Sequence, residues 1–423
     1  MRYFEIKNGV LIKYIGPGGD VVIPKGVTAI GDSAFCGYET LESIYIPEGV
    51  TSIGNQAFFR CYYLTNVHLP KSITSIGDKA FFDCISLTSI HIPEGVTSIG
   101  ESAFCGCNRL TSVQVHKNGI FIGDSAFRGC EGLVNEDGFV IVGDIVFDYL
   151  GSGGDVVIPD GITSVGEQAF YECRSLTSIH IPESVISIGD MAFEGCYRLA
   201  SIHISKNVTS IGFRAFHWCE SLTNIHLPDG VTSIEAWTFR GCKKLTSVHL
   251  PENLTSIGRL AFYGCVSLTN VHIPHNLTSI DFKAFGECTN LNSIHISESV
   301  TSLGDEVFVK CRNLSLIIAP SIHIQIWKDW RLTLSAVMGY LSNPELYENS
   351  EITREYKKCT SSYAKKIRPL LFKDDIVQGV AVLASWGRIT AKNLESDFLL
   401  PAQEANADKC TAYLLEFKKH NNI

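Results

Sequence analysis

A stretch of 23 residues returns twelve times along this chain, and this repeat constrains the fold more than any other feature. Its consensus is VTSIGDxAFxxCxSLTSIHIPEG, and we number the positions of each copy from 1 to 23. The copies begin at Val27, Val50, Ile73, Val96, Gly119, Ile162, Val185, Val208, Val231, Leu254, Leu277 and Val300. A repeat this short cannot bury an apolar face by itself, so adjacent copies must stack. The sequence therefore predicts a solenoid with one coil for each copy.

Several positions of the repeat keep one residue type for reasons of packing. Position 9 is Phe and position 15 is Leu in all twelve copies, which predicts two continuous apolar spines. Position 5 is Gly in ten copies, with Glu235 and Asp281 as exceptions, consistent with a sharp turn or a close approach of two backbones. The Ala-Phe-x-x-Cys spacing that follows predicts about one turn of helix or 3₁₀ helix. Proline at position 21 ends a strand because it lacks a backbone donor.

A second, longer duplication overlies the first. Residues 4–27 align with residues 139–162 without a gap, and Asn8-Gly9 and Gly143-Asp144 stand at the same place between apolar runs. Two-residue turns of this kind predict β-hairpins. We therefore divide the chain into an N-terminal hairpin cap, a first repeat block, a duplicated hairpin insert, a second repeat block, and a closing cap with a helical domain. The predicted bounds are 1–26, 27–133, 134–161, 162–320 and 321–423.

After residue 320 the repeat stops and the sequence pattern becomes helical. Residues 324–341 are apolar, and we interpret them as a closing cap that continues into a helix. Asn343-Pro344 is typical of a helix start, with an N-cap followed by proline at the first helical position. Further candidate helices cover 351–372, 374–387, 390–406 and 407–420, and their lengths and short loops resemble ankyrin-like helix pairs.

Charge is distributed unevenly along the chain, whose formal net charge is −9. Residues 321–423 hold 14 Lys+Arg and 12 Asp+Glu, net +2, so the part before them carries 21 and 32, net −11. No nucleic-acid partner is predicted, because such binding rests on a basic face. A basic cluster in the tail is interpreted as a solvated helix face, with a site for an anionic surface as the alternative. It comprises Lys357, Lys358, Lys365, Lys366 and Arg368.

Targeting features of the sequence favour an internal location. No run of 18 or more apolar residues occurs, so no membrane insertion is predicted. The start, MRYFEIKNGVLIKYIG, lacks a basic region followed by an apolar core, and is interpreted as a strand pair rather than a signal peptide. The 15 cysteines are an odd number, which favours a reducing compartment. These features predict a cytoplasmic protein.

The repeat ITSIGDKAFFDCISLTSIHIPEG, residues 73–95, resembles the BspA-like leucine-rich repeat family. The resemblance covers roughly three quarters of the chain in twelve copies. It implies a curved, right-handed leucine-rich repeat coil with a parallel β-sheet on the concave face. It also implies protein recognition, often adhesion of surface-exposed members to host proteins. A surface adhesin exported without a recognisable signal, at the cell surface or secreted, is therefore the alternative to a cytoplasmic binding module.

Histidine recurs at position 19, between two apolar residues of the predicted strand. Side chains alternate along a strand, so positions 18 and 20 face the core while positions 17 and 19 face outward. We predict that positions 17 and 19 of the concave face bind a protein partner. The candidate binding residues are His68, His91, His180, His203, His226, His249, His272, His295, Ser178, Ser201, Asn224, Ser247, Asn270 and Ser293.

Three interpretations of the histidine row remain open at this point. The row is a polar sheet surface copied by duplication, a transition-metal site, or a pH-sensitive binding face. A single row offers no convergent tetrahedral cage, which argues against zinc. Closely spaced imidazoles would resist being charged together, so a proton-responsive face would lose its partner on acidification. Neither metal nor other cofactor is predicted.

Cysteine occupies position 12 in eleven of the twelve copies, with Tyr38 in the first. A spacing of 23 residues does not supply the close pairs that a metal site needs. We expect inert, buried thiols that face the backbone of the coil, with a disulfide series between adjacent coils as the alternative.

No catalytic motif occurs in the chain. The glycine-rich segments 16–20 and 151–155 lead into strands, not into the helices that phosphate binding requires. The sequence therefore predicts a monomeric, non-enzymatic protein-binding module.

Overall fold

The computed structural model describes residues 3–115, 120–320, 322, 330–347, 350–373, 375–385 and 388–421. The chain forms two compact units, Met1–Cys219 and Glu220–Ile423. Both units are stacks of coils joined by parallel strands, and helices follow the last coil of the second unit. The prediction of an α/β repeat solenoid with a helical C-terminal region is confirmed. The block boundaries proposed from the duplicated hairpin stay a prediction.

In most coils one strand lies at positions 17–19, or in the equivalent register of the segment after a hairpin, and we call these the face strands. Neighbouring face strands pair in parallel, with position 18 of one coil opposite position 18 of the next. Those of the first unit are Gly19–Val22, Leu41–Tyr45, Asn66–His68, Ser89–His91, Ser112–Gln114, Gly154–Val157, Leu176–His180 and Ser201–His203. Those of the second unit are Asn224–His226, Ser247–His249, Ser293–His295 and Leu316–Ile318, and a parallel bridge joins His272 to His295.

A second row of short strands lies at positions 3 and 4, which the sequence did not lead us to expect. Each is two residues long, too short to show an alternating pattern. In the first unit they are Ala29–Ile30, Ser52–Ile53, Ser75–Ile76, Ser98–Ile99, Phe121–Ile122, Ser164–Val165, Ser187–Ile188 and Ser210–Ile211. In the second unit they are Ser233–Ile234, Ser256–Ile257, Ser279–Ile280 and Ser302–Leu303.

The two predicted hairpins are confirmed. Phe4–Lys7 pairs with Val10–Tyr14, and Phe139–Val142 pairs with Ile145–Tyr149, both antiparallel. The second strand of each hairpin then pairs in parallel with the short strand of the next coil. The duplication therefore starts a row of short strands twice within the first unit.

The phenylalanines of position 9 form the predicted spine. All twelve are buried, and within the first unit their rings stack at centroid distances such as 4.9 Å for Phe58–Phe81 and 5.1 Å for Phe81–Phe104. At the inserted hairpin, Phe147 meets Phe127 edge to face at 5.4 Å, and Tyr149 stacks on Phe170 at 5.0 Å. A ring of the hairpin therefore covers the spine on each side of the insert. The leucines of position 15 are buried too, except Leu133, which is half-buried.

The helical turn predicted after position 5 is wrong. The segment is a series of i→i+3 turns, such as Ala80 N–H to Gly77 O at 3.3 Å and Phe82 N–H to Lys79 O at 3.2 Å. Positions 7 and 11 have positive φ in every copy, for example +54° at Lys79 and +56° at Asp83. A left-handed residue ends a helical run. The freed N–H groups bond to the next coil, as Phe81 N–H does to Ala103 O at 2.7 Å.

Position 5 is a close approach of two backbones rather than a left-handed turn. A Cβ added at Gly77 would lie 2.7 Å from the backbone nitrogen of Asn55 and 2.7 Å from the carbonyl carbon of Gly54. No real Cβ tolerates such distances to backbone atoms, so glycine is required wherever adjacent coils pack this tightly.

Five α-helices are described after the last coil. They are Trp330–Ser342, Ser350–Lys373, Val377–Ser385, Leu400–Glu404 and Asp408–His420, with a 3₁₀ turn at Pro344–Leu346 and a π-helical turn at Glu395–Leu399. A further 3₁₀ turn, Glu131–Leu133, lies in the first unit. Among the described helices, none is long and apolar enough to cross a membrane. Residues 324–329 of the proposed closing cap, with Trp327, lie outside the described residues.

Two expectations for the helical region need correction. Asn343-Pro344 opens a 3₁₀ turn and not a helix, because the Asn343 side chain donates back to Gly339 O at 3.2 Å instead of capping the turn that begins at Pro344. The basic cluster is not uniformly solvated. Lys357, Lys358 and Lys366 are exposed, but the guanidinium of Arg368 lies 2.6 Å from the Asp397 carboxylate.

Candidate functional site

Along the face strands, side chains alternate between the outward surface and the core, as the period of two predicts. In the strand Ser89–His91 the central Ile90 is buried, while Ser89 and His91 are exposed. Position 20 returns to the core, as Ile92 does. The apolar residues on either side of each histidine therefore point away from it, and the histidine lies on the open surface.

All eight predicted histidines of position 19 are exposed. Two pairs of neighbouring histidine rings lie flat on one another. In the first unit, the ring centroids of His180 and His203 are 4.7 Å apart with planes 7° from parallel. In the second unit, His226 and His249 are 4.3 Å apart at 5°. The strand spacing in a parallel sheet is close to a stacking distance, which explains the geometry.

The remaining predicted histidines have other neighbours. His68 stacks on Tyr45 at 4.7 Å and 5°. The Nδ1 atom of His91 lies 3.0 Å from the Oε1 atom of Gln114. His272 and His295 are paired across the parallel bridge. One continuous histidine row along the whole chain stays a prediction.

Position 17 supplies the small polar neighbours of the histidines. Ser201, Asn224, Ser247 and Asn270 are exposed, whereas Ser178 and Ser293 are half-buried. Ser178 donates to Asp155 Oδ1 at 2.6 Å. Hydrogen bonds from Ser178 and then Thr177 hold the pKa of the Asp155 carboxyl below its usual value, so this carboxylate stays ionised.

The sequence did not single out the apolar residues that share position 19. Val22 and Val157 stand in that register on the first strand of their rows, and each is 64% exposed. Tyr45 follows Val22 and is 46% exposed. Asp20 and Asp155 align with position 17 of the repeat, so Val22 and Val157 align with position 19. This alignment is the sequence signal that could have placed both valines on the face.

Fixed charge is nearly absent from this surface. On the described face strands, positions 17 and 19 hold His, Ser, Asn, Tyr, Gln, Val, Leu and Ile, and the only charged side chains are Asp20 and Asp155. We call the outward side chains at positions 17 and 19 of the face strands the sheet face. Within the described residues, no group of three or more His, Cys, Asp or Glu side chains has a geometry that could hold a metal ion.

Comparison with known proteins identifies the repeat. The model of the BspA type leucine-rich repeat region matches residues 18–134, 140–225 and 209–330 in six copies. The chain belongs to the BspA-type leucine-rich repeat family. Repeats of this family are typical of proteins that take part in protein–protein interactions and of surface proteins.

Solved leucine-rich repeat proteins resemble this BspA-type chain at low identity. One from Bacteroides ovatus is 25% identical, with 74% of this chain and 91% of that chain covered and a TM-score of 0.40. One from Eubacterium ventriosum is 26% identical, with 69% and 82% covered and a TM-score of 0.49. A leucine-rich cell surface protein from Faecalibacterium prausnitzii is 27% identical, with 79% and 90% covered and a TM-score of 0.35. No curated protein matches the chain.

The cysteines of position 12 have a structural part in this BspA-type repeat. The thiol of Cys84 is buried and donates to the carbonyl oxygen of Phe58 in the preceding coil at 3.2 Å. The same bond recurs from Cys61 to Phe35 at 3.1 Å and from Cys288 to Phe262 at 3.2 Å. A thiol is small enough for the core and satisfies a carbonyl that the turn leaves open. All 15 cysteines are free thiols, so the disulfide alternative is wrong.

We expect these thiols to resist alkylation in the folded protein. Burial raises the pKa of Cys61 to about 12 and raises that of Cys84 well above its usual value, so the reactive thiolate is scarce at pH 8. The exposed Cys36 provides the matched control. Iodoacetamide at pH 8, followed by peptide mass spectrometry, should label Cys36 and leave Cys61 and Cys84 unlabelled until denaturant is added. Equal labelling of the three in the native protein would contradict the burial of position 12.

Proposed function

We propose that this protein is a non-enzymatic interaction module that binds a protein partner on its sheet face. The observation that carries the proposal is the near absence of charge there, in a chain with 19% charged residues. The centre of a protein interface is depleted of charged side chains and enriched in aromatic ones. The face fits both criteria, because rings such as Tyr45, His180 and His226 cover its exposed surface.

The stacking of the rings supports the same proposal energetically. A side chain that is immobilised on binding costs about 0.5–1.5 kcal/mol in lost rotamer freedom. The imidazoles of His226 and His249 already lie in one plane-to-plane arrangement in the free protein. A partner that contacts these rings therefore immobilises side chains that are already held in one orientation before binding.

Paired substitutions on the two units test the proposal. One variant carries His180→Ser and His203→Ser in the first unit, and the other carries His226→Ser and His249→Ser in the second. The matched control carries Arg174→Ser and Lys243→Ser, which are exposed residues in turns outside the face strands. Each variant serves as bait for a cell lysate and, separately, for a mixture of extracellular host proteins. Circular dichroism checks folding, which exposed substitutions should change by no more than about 0.5 kcal/mol.

The expected result is a partner that the wild type and the control retain. At least one histidine variant should bind it at least tenfold more weakly. Retention from the extracellular mixture would specify a host protein as the partner, as the resemblance implies. A partner retained equally by all four proteins would move the binding surface off the sheet face and contradict the proposal.

A further inference from the structure

A cavity of about 440 Å³ lies at the C-terminal end of the sheet face, within the second unit. His272 and His295 of the face line it, together with His275 and Glu298 from position 22 of their coils. Leu346, in the 3₁₀ turn that follows the first C-terminal helix, also lines it. Its volume is within the range of pockets that bind small ligands or single side chains. We call it the histidine cavity.

The polar side chains of the histidine cavity differ in the hydrogen bonds that they can still form with a ligand. The Ser297 hydroxyl lies 3.3 Å from Pro274 O and 2.6 Å from the Ser299 hydroxyl, and Ser299 donates to Leu277 O at 2.7 Å. The rings of His272 and His275 stand 6.5 Å apart with planes 82° apart, so they form a corner. Both serine protons are therefore committed within the protein, so the serines can offer a ligand only acceptor oxygens, as the Glu298 carboxylate does.

The charge of the histidine cavity is negative while its imidazoles are neutral. Glu298 lines it, and outside it the Glu252 carboxylate lies 3.6 Å from His272 Nε2. Among the described residues, no lysine or arginine lines the cavity or lies within ion-pair distance of Glu298. The first 320 residues have a net charge of −11, which draws in a basic partner over longer range. The cavity therefore favours a cation, and the described side chains do not converge as a metal site does.

Acid reverses this preference. Partial burial, and then the neighbouring His275 and His272, hold the pKa of His295 below the usual histidine value of 6.5, although Glu298 opposes the shift. His295 is therefore neutral at pH 7.5, and its ring can accept a hydrogen bond or lie against a cation. Once pH falls through this lowered pKa the ring becomes positive, and it then repels a cation in the cavity.

We propose that the histidine cavity receives a lysine or arginine side chain of the protein partner and releases it on acidification. This rests on the proposed function, because His272 and His295 belong to the sheet face. An arginine suits these groups, because a planar guanidinium can stack on an imidazole ring and donate to a carboxylate. The cavity would then fix the register of the partner along a face that otherwise repeats every coil.

A peptide probe tests this inference without the natural partner. The full chain, with ¹³C-labelled histidine, is titrated with acetyl-Gly-Arg-Gly-amide, and acetyl-Gly-Gln-Gly-amide is the neutral control. Single His→Asn variants assign the signals of His272, His275 and His295. Glu298→Gln removes the charge of the cavity, and Glu183→Gln removes a carboxylate at the same repeat position in another coil. The titrations are made at pH 7.5 and at lower pH values down to the point at which the His295 signal has titrated.

The arginine peptide should shift the three cavity signals at pH 7.5, and the glutamine peptide should not. Affinity at pH 7.5 should fall at least fivefold in Glu298→Gln but stay within twofold in Glu183→Gln, and in the wild type it should fall at least fivefold over the pH range in which the His295 signal titrates. Absence of shifts, equal shifts by both peptides, or an unchanged affinity in Glu298→Gln would overturn the inference. A partner lost by the paired histidine variants and kept by Glu298→Gln would leave the proposed function standing while this inference fails.

Discussion

Replacing Phe81 with alanine is expected to lower the free energy of unfolding of the first unit by about 3–5 kcal/mol. The side chain is fully buried, and its ring stacks on Phe58 at 4.9 Å and on Phe104 at 5.1 Å. Alanine would leave a cavity that two neighbouring coils share, and coils of a solenoid depend on their neighbours for stability.

Urea unfolding followed by circular dichroism measures this loss. Phe121→Ala is the matched control, because Phe121 lies in a short strand of the same unit and is 69% exposed. We expect the control to change the free energy of unfolding by no more than about 0.5 kcal/mol. Similar losses in the two variants would mean that the phenylalanine spine does not hold the coils together.

The second large effect is expected at position 5. Gly77→Ala would place a Cβ 2.7 Å from the backbone nitrogen of Asn55 and from the carbonyl carbon of Gly54. Neither atom belongs to a flexible side chain, so two coils would have to separate locally. We expect a loss of about 3 kcal/mol, at the upper end of the usual cost of overpacking, with a lower midpoint in the same urea titration.

Asp281→Ala is the control for Gly77→Ala. Asp281 occupies position 5 of its own coil, where a Cβ is therefore already accommodated. Alanine at this place should cost less than about 1 kcal/mol. If Asp281→Ala were as damaging as Gly77→Ala, the close backbone approach would not be the reason for glycine.

The repeat predicts the fold because its invariant positions are the ones that pack between successive coils. A phenylalanine at position 9 in every copy has one simple explanation, a spine shared by successive coils, and the rings of Phe58 and Phe81 stack accordingly. The alternation of Ile90, His91 and Ile92 likewise follows from strand geometry alone, so it placed the histidine outside correctly. Both inferences use a period that the sequence repeats many times.

Features that depend on contacts between coils were missed or misassigned. Lys79 and Asp83 adopt positive φ although neither is glycine, because their N–H groups bond to the next coil and not along a helix. Another missed contact is at position 6, where the Asp78 carboxylate accepts the backbone N–H of Glu101 at 2.9 Å. Such bonds join residues 22 or 23 apart and leave no mark on the local pattern. The same reason explains the unforeseen two-residue strands.

The candidate site was foreseen in part. The exposed position of the eight histidines follows from sequence, but the stacking of His226 on His249 needs the strand spacing as well. The histidine cavity could not be foreseen, because it brings His275 and Glu298 of two turns near Leu346 of the helical region. The 23-residue period relates His275 to Glu298 but relates neither to Leu346, because the C-terminal helices follow no repeat.

The most direct test of the sheet face as the binding surface is modification of histidines by diethyl pyrocarbonate, with and without the captured partner. The reagent acylates accessible imidazoles, and mass spectrometry reads each site. His217 is 2% exposed and 3.1 Å from Glu194 Oε1, so it should stay unmodified throughout and report on folding. We predict that the partner slows modification of several neighbouring face histidines, such as His226 and His249, at least fivefold. Equal rates at all eight face histidines in the free and bound protein would contradict the sheet face as the binding surface.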